Sequence, residues 1–313
     1  MIKKTLLLAA TALGLSACAT YDDGTALASA APATGNVAPE GTIDPAVWRV
    51  ADEDTTVYLL GTFHLLPEGY NWRTDTIDAA LAASDEVYFE IADDLSNPAA
   101  LQPLIMELAI SPGQPSLAER LGAENAARVV ELVKPLGVPA QALDVMETWF
   151  VGLTLANAIA TKAGMSGEAG VEMTLRKLVE ERGLPIKGLE TAREQLSYFD
   201  TMSPEAQVAF TVGSLEDTTD EEIVAMLNAM QVAWSRGDEA GIADVFNEDL
   251  EMGSEVRGAL LTRRNADWTG DIVTRMGEPG TVFVAVGAGH LVGGDSVVSM
   301  LRERGYTVTR IDD

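Results

Sequence analysis

Short apolar, β-branched runs lie near both ends of the chain, and helical periodicity fills the middle. The runs predict strands at 46–50, 57–60, 86–91, 185–189, 281–286 and 306–311, with the first two forming a hairpin around 52–54. Strands that are apolar on both faces are typical of a sheet covered by helices. The pattern therefore predicts an α/β fold with a central, mostly parallel or mixed sheet and flanking helices.

The helical segments form one long central block and several shorter stretches. The block runs from Pro98 to about Arg182, and we interpret it as a large helical insertion, or cap, over the sheet. Thr191 and Glu194 predict a capping box at the start of a helix over 191–198. Further helices are predicted at 75–83, 221–236, 238–246, 248–267 and 295–304.

The N-terminus is typical of an exported bacterial lipoprotein. Lys3 and Lys4 precede an apolar stretch at 6–15, and the sequence LSAC ends at Cys18. We predict a signal peptide at 1–18 with lipid on Cys18, a flexible tether at 19–43 and a folded domain at 44–313. By analogy with known lipoproteins, Ala19 favours the outer membrane of the cell envelope, facing the periplasm. The alternative is an ordinary signal peptide with an incidental cysteine.

Charge and cysteine content narrow the partners and the chemistry. The formal net charge is −27, which disfavours binding to nucleic acid or to anionic lipid surfaces. We therefore expect a peptide or small-molecule substrate, and membrane attachment only through the lipid anchor; the oligomeric state stays open. Because Cys18 is the only cysteine, the folded domain has no thiol nucleophile and no internal disulfide.

The chain contains two histidines, and each follows a glycine by three positions. These Gly-x-x-His frames are Gly61–His64 and Gly287–His290, and each comes directly after a predicted strand. Ligands in α/β sheets bind beyond the carboxyl ends of strands, and glycine lets the backbone approach a ligand closely. We predict that neighbouring strands bring both frames to one site. The alternative is that both histidines only cap strand ends.

With these frames, the sequence resembles the TraB/GumN/Tiki superfamily from about Trp48 to Ile311. Three further segments carry the resemblance: VYFEI with Glu90, KGLETAREQL with Glu190, and LLTRRNADW with Arg264 and Asn265. In GVEMTL, Glu172 stands where many members have aspartate, which weakens any role for position 172 but not the rest of the resemblance.

The resemblance implies a site more firmly than a reaction. Animal members are described as metal-dependent peptidases, some bacterial members as pheromone-shutdown proteins, and related folds bind haem or act as esterases. We predict a metal-dependent hydrolase, and more narrowly a peptidase, that uses Mn²⁺, Co²⁺ or Zn²⁺. His64, Glu90 and His290 are the predicted metal ligands, and Gly61 and Gly287 give close backbone approach. Glu190 is the predicted base or fourth ligand, and Arg264 and Asn265 contact the substrate or an oxyanion.

Several alternatives remain open. The chain could bind haem or a peptide without catalysis, or act as a metal-free His–Glu hydrolase resembling erythromycin esterases. Glu90 could simply pair with Arg264, Glu190 could be a charge at a helix N-terminus, and 264–265 could lie on a surface helix. The sequence has no His-Glu-x-x-His and no Gly-x-Ser-x-Gly motif.

Overall fold

The computed structural model describes residues 43–93, 98–213, 215, 219–247 and 253–311. The predicted signal peptide, Cys18 and the predicted tether up to residue 42 lie outside these ranges. Within them, no helix combines the length and apolar character needed to cross a membrane.

The sheet has six strands and is mixed, which confirms the predicted α/β fold. The strands are β1 (Val47–Ala51), β2 (Thr55–Thr62), β3 (Glu86–Ile91), β4 (Ile186–Glu190), β5 (Gly280–Gly287) and β6 (Val308–Ile311). They are arranged in the order β4-β3-β5-β2-β1-β6. The four strands from β4 to β2 are parallel to one another, whereas β1 is antiparallel to both of its neighbours, β2 and β6. The carboxyl ends of four strands therefore share one edge of the sheet.

Helices fill the segments between the strands. They are α1 (Asp75–Ala83), α2 (Pro98–Leu108), α3 (Leu117–Leu121), α4 (Ala123–Val133), α5 (Ala140–Leu143), α6 (Thr148–Lys162), α7 (Val171–Glu181), α8 (Ala192–Asp200), α9 (Pro204–Val212), α10 (Asp220–Ser235), α11 (Glu239–Asn247), α12 (Ser254–Arg257), α13 (Arg263–Arg275) and α14 (Val297–Glu303). A π-helical turn, Gly258–Thr262, joins α12 to α13.

One predicted helix end differs from the structure. The helix predicted over 248–267 continues to Arg275, and its residues 248–252 lie outside the described ranges. Trp268, Thr269 and Ile272 extend the buried face past the predicted end, and this packing outweighs the weak helix propensity of Gly270. The predicted capping box of Thr191 and Glu194 is present at the start of α8.

Candidate functional site

The two Gly-x-x-His frames meet at the carboxyl edge of the sheet, as predicted. Strands β2 and β5 are parallel neighbours, with Gly61 opposite Val286 and Thr62 opposite Gly287. His64 lies two residues beyond β2, and His290 ends a 3₁₀ turn directly after β5. Both histidines are buried, with 3% and 1% of their surface exposed.

Gly61 lies in close contact with the turn that follows β5. A Cβ atom on Gly61 would lie 3.0 Å from the Cα atom of Ala288, in the turn that leads to His290. Trp234 of α10 donates a hydrogen bond from Nε1 to the Gly61 carbonyl oxygen over 2.8 Å. Gly61 therefore allows the two frames to pack closely together.

Glu90 of β3 lies between the two histidines. Its Oε1 atom accepts a 2.8 Å hydrogen bond from the backbone N–H of Gly287. The same oxygen is 3.8 Å from Nε2 of His64 and 3.9 Å from Nε2 of His290. One carboxylate oxygen thus faces both imidazoles, and its position is fixed by the backbone of the second frame.

Arg264 occupies the other side of Glu90. Its Nη2 atom lies 2.6 Å from Oε2 of Glu90 and 2.6 Å from Oε1 of Glu190. Its guanidinium stacks over the Trp268 ring at 4.6 Å. Burial lowers the pKa of Arg264, but the two carboxylates outweigh burial and raise that pKa overall. Arg264 is therefore a permanent buried cation with two carboxylate partners.

Arg264 and Asn265 are each only 1% exposed, so the alternative of a surface helix segment does not hold. The alternative of a Glu90–Arg264 ion pair describes the observed contact.

His290 is held as a neutral imidazole. Its Nδ1 atom is 2.6 Å from Oδ1 of Asn265, and its Nε2 atom is 3.1 Å from Nη1 of Arg264. Because a guanidinium can only donate, Nε2 must accept and Nδ1 must carry the proton. Burial, followed by the charges of Arg264 and His64, lowers the pKa of His290 well below its usual value. In this arrangement Arg264 occupies the lone pair that a metal ion would need.

His64 has a different partner, Glu172 of α7. Its Nδ1 atom is 2.7 Å from Oε2 of Glu172, close enough for an ion pair. The direction of this contact is poor for a hydrogen bond, and within the described part of the chain neither ring nitrogen has an aligned partner. Burial lowers the pKa of His64, but the Glu172 and Glu90 carboxylates outweigh burial and raise that pKa. The Nε2 atom of His64 is therefore an unpartnered buried atom directed at the site.

Backbone pairing brings Glu172 to His64. Leu66 and Ser166 form an antiparallel bridge, and the N–H of Val171 donates to the Phe63 carbonyl oxygen over 3.1 Å. A Cβ atom on Gly170 would overlap the carbonyl oxygen of His64, so only glycine fits where α7 begins. Glu172 was not among the site residues predicted from sequence, although the GVEMTL segment contains both this acid and Gly170, the glycine before α7.

His64, Glu90 and Glu172 form a group that could hold a metal ion, because one ligand atom from each lies within 4.8 Å of the others. The donor set of one imidazole and two carboxylates suits Zn²⁺ or Mn²⁺. The His64 ring nitrogens support this fit, because neither has an aligned hydrogen-bond partner among the described residues. Around the group, three carboxylates (Glu90, Glu172, Glu190) face one guanidinium, so two negative charges remain uncompensated when both imidazoles are neutral. A divalent cation would neutralise them.

Glu190 is the predicted base or fourth ligand. Arg264 lies between Glu190 and Oε1 of Glu90, the oxygen that faces both histidines. Both of its carboxylate oxygens accept from Nε of Arg264 at 3.1 Å. Burial raises the pKa of Glu190, and Arg264 opposes that shift. The side chain of Glu172 is 14% exposed, compared with 1–4% for the side chains of His64, Glu90, Arg264, His290 and Glu190. The site therefore approaches solvent at Glu172.

Comparison with known proteins agrees with the sequence resemblance. The sequence profile of the TraB/PrgY/gumN family matches residues 46–310. The uncharacterized protein YbaP of Escherichia coli (strain K12) is 24% identical over 197 residues, which cover 61% of this chain and 70% of YbaP. An uncharacterized protein of Treponema pallidum (strain Nichols) is 22% identical over 269 residues, covering 82% of this chain and 80% of that protein. No solved structure matches.

Proposed function

Because this chain belongs to the TraB/PrgY/gumN family, and because His64, Glu90 and Glu172 converge at its paired frames, we propose that it is a metal-dependent hydrolase that cleaves peptide bonds. The observation that carries the proposal is the buried His64 imidazole, which lies between the Glu90 and Glu172 carboxylates and whose ring nitrogens have no aligned hydrogen-bond partner among the described residues. We further propose that it acts in the bacterial cell envelope, anchored through lipid on Cys18.

The three residues would hold the cation, which would polarise a carbonyl group and lower the pKa of a bound water. The other residues prepare this arrangement. Arg264 and the Gly287 N–H fix the two oxygens of Glu90, so that Oε1 faces the imidazoles. His290, neutral and fixed by Asn265, adds no positive charge that would repel a cation. Arg264 is engaged with two carboxylates, so its predicted contact with substrate requires release from one of them.

The exposed edge of Glu172 is the route by which a substrate would enter the site. The other side chains of the site are almost fully buried, and α7 with the 166–170 segment covers His64. A peptide or other neutral or cationic substrate would also suit a chain with a net charge of −27.

A second candidate is metal-free hydrolysis by His64 and Glu172. A carboxylate 2.7 Å from Nδ1 would stabilise the imidazolium that forms when Nε2 accepts a proton from water. This candidate needs the same two residues but no metal, so metal content separates the two.

The test is metal content by plasma mass spectrometry on the full chain purified in detergent, after exposure to Zn²⁺, Mn²⁺ or Co²⁺. We expect near-stoichiometric metal in the wild type, and its loss in His64→Ala and Glu172→Gln. Glu168→Gln is the matched control, because Glu168 is an exposed carboxylate four residues before Glu172. His290→Ala is expected to retain metal, whereas loss of metal there would favour the ligand set predicted from sequence.

A peptide library then tests activity with each cation. Cleavage by a chain that binds no metal would favour the His64–Glu172 candidate. Absence of all three cations and of cleavage, together with bound iron and an absorbance band in the haem region, would favour the cofactor-binding alternative.

A further inference from the structure

Gln195 of α8 is a buried side chain at the candidate site, and it was not among the site residues predicted from sequence. It is 1% exposed and comes five residues after Glu190, in the first turns of the helix that follows β4. Its Nε2 atom donates to Oε2 of Glu90 over 3.2 Å and to Oε1 of Glu190 over 2.9 Å. A neutral amide therefore bridges the same two carboxylates that Arg264 contacts.

The four groups form a closed ring of hydrogen bonds. Nη2 of Arg264 donates to the same two oxygens, Oε2 of Glu90 and Oε1 of Glu190, over 2.6 Å each. Two donor nitrogens thus alternate with two acceptor oxygens, and each nitrogen uses both of its hydrogens. The carbonyl oxygen of Gln195 has no partner among the residues the structure describes, so the amide is held by what it donates.

The ring determines which oxygen of Glu90 remains available. With Oε2 bound by Arg264 and Gln195, the other oxygen, Oε1, is directed at the Gly287 N–H, His64 and His290. Without the amide, the two carboxylates would share only the guanidinium, and the Glu90 carboxylate would be freer to rotate towards it.

A glutamine provides this support without changing the charge of the site. A lysine or arginine here would neutralise negative charge that attracts a cation, and a glutamate would place a third carboxylate against Glu90 and Glu190. A neutral amide of this length supplies two N–H donors from one nitrogen atom, one for each carboxylate.

We propose that Gln195 is a positioning residue that fixes Glu90 as a metal ligand by closing the ring with Arg264 and Glu190. This inference rests on the proposed metal site. Partners that orient a ligand from behind typically contribute tenfold to a hundredfold to metal affinity.

The test compares Gln195→Met with Gln207→Met in the full chain purified in detergent. Methionine keeps the length of glutamine and removes the amide. Gln207 of α9 is a matched control because it is also buried and hydrogen-bonded. Its Oε1 atom accepts from the Trp149 N–H over 3.3 Å, and its Nε2 atom donates to the Met202 carbonyl oxygen over 3.1 Å. The measurements are the dissociation constant by titration calorimetry, for whichever of Zn²⁺, Mn²⁺ or Co²⁺ the wild type binds, and the melting temperature.

We expect Gln195→Met to weaken metal binding by about tenfold to a hundredfold, and Gln207→Met to lower the melting temperature with unchanged metal binding. If Gln195→Met does not fold, Gln195→Asn replaces it, because its shorter amide cannot span both carboxylates and should also weaken binding. An unchanged dissociation constant in the folded Gln195 variant would overturn the inference and leave the proposed function intact. A wild type that binds none of the three cations would refute the proposed metal site, and this inference with it.

Discussion

Arg264→Met removes the guanidinium that contacts both Glu90 and Glu190, and it keeps a long apolar side chain against Trp268. In the folded protein Arg264 is 1% exposed, and its two carboxylate partners are buried as well. The variant therefore leaves two buried carboxylates without their cation. Gln195 and the Gly287 N–H still donate to them, so the loss is partial.

Breaking a buried ion pair by removing one partner typically costs about 3–5 kcal/mol. A domain of ordinary stability unfolds with about 5–15 kcal/mol, so the variant should lose a large share of its stability. For a domain of this size, each kcal/mol lowers the melting temperature by roughly 2–4 °C, which gives a fall of about 10 °C.

The assay is urea unfolding followed by circular dichroism, with thermal melting in parallel. Arg193→Met is the matched control, because Arg193 also makes a double contact with a glutamate, Glu107, but both side chains are more than half exposed. We expect no measurable shift in its midpoint. The double variant Arg264→Met, Glu190→Gln should regain part of the loss, because it removes one of the stranded charges. Equal stability of Arg264→Met and Arg193→Met would refute the reasoning.

Two further substitutions test the surroundings of the site. Gly170→Ala should lower the free energy of unfolding by about 1–3 kcal/mol, because its Cβ atom would overlap the His64 carbonyl oxygen; Gly270→Ala, which has open space around it, is the control, and equal effects would contradict this account. Asp295→Asn should lower the free energy of unfolding by about 1 kcal/mol at neutral pH. Burial raises the pKa of Asp295, but the contact with Arg257 outweighs burial and lowers that pKa. The stabilisation is therefore present above the ordinary carboxyl pKa, and it disappears as pH falls through the lower pKa of the folded state. Urea midpoints measured against pH should therefore converge in acid, and a constant difference down to the lowest pH would count against the Asp295–Arg257 pair as the cause.

Local sequence determined the elements and much of the site's chemistry. Apolar runs gave the six strands because a strand covered on both faces must be apolar on both faces. The paired frames then predicted that His64 and His290 meet, since the carboxyl ends of parallel neighbours lie at one edge. Glu90 was predicted from the VYFEI segment of the family resemblance, and an acid inside an apolar strand also needs a partner.

Tertiary structure alone decided which partner each group has. Glu172 reaches His64 through the pairing of Leu66 with Ser166, a contact between distant segments that no local periodicity encodes. Arg264 donates a hydrogen bond to Nε2 of His290, whereas Nε2 of His64 has no aligned partner among the described residues. The two histidines have equivalent positions in the sequence but different surroundings in the structure. Gln195 has the ordinary position of a residue one turn into a helix, and the role we propose for it depends on two carboxylates carried by strands β3 and β4. Hydrophobic pattern is a local property of the chain, whereas the pairing of buried charges depends on distances that exist only after folding.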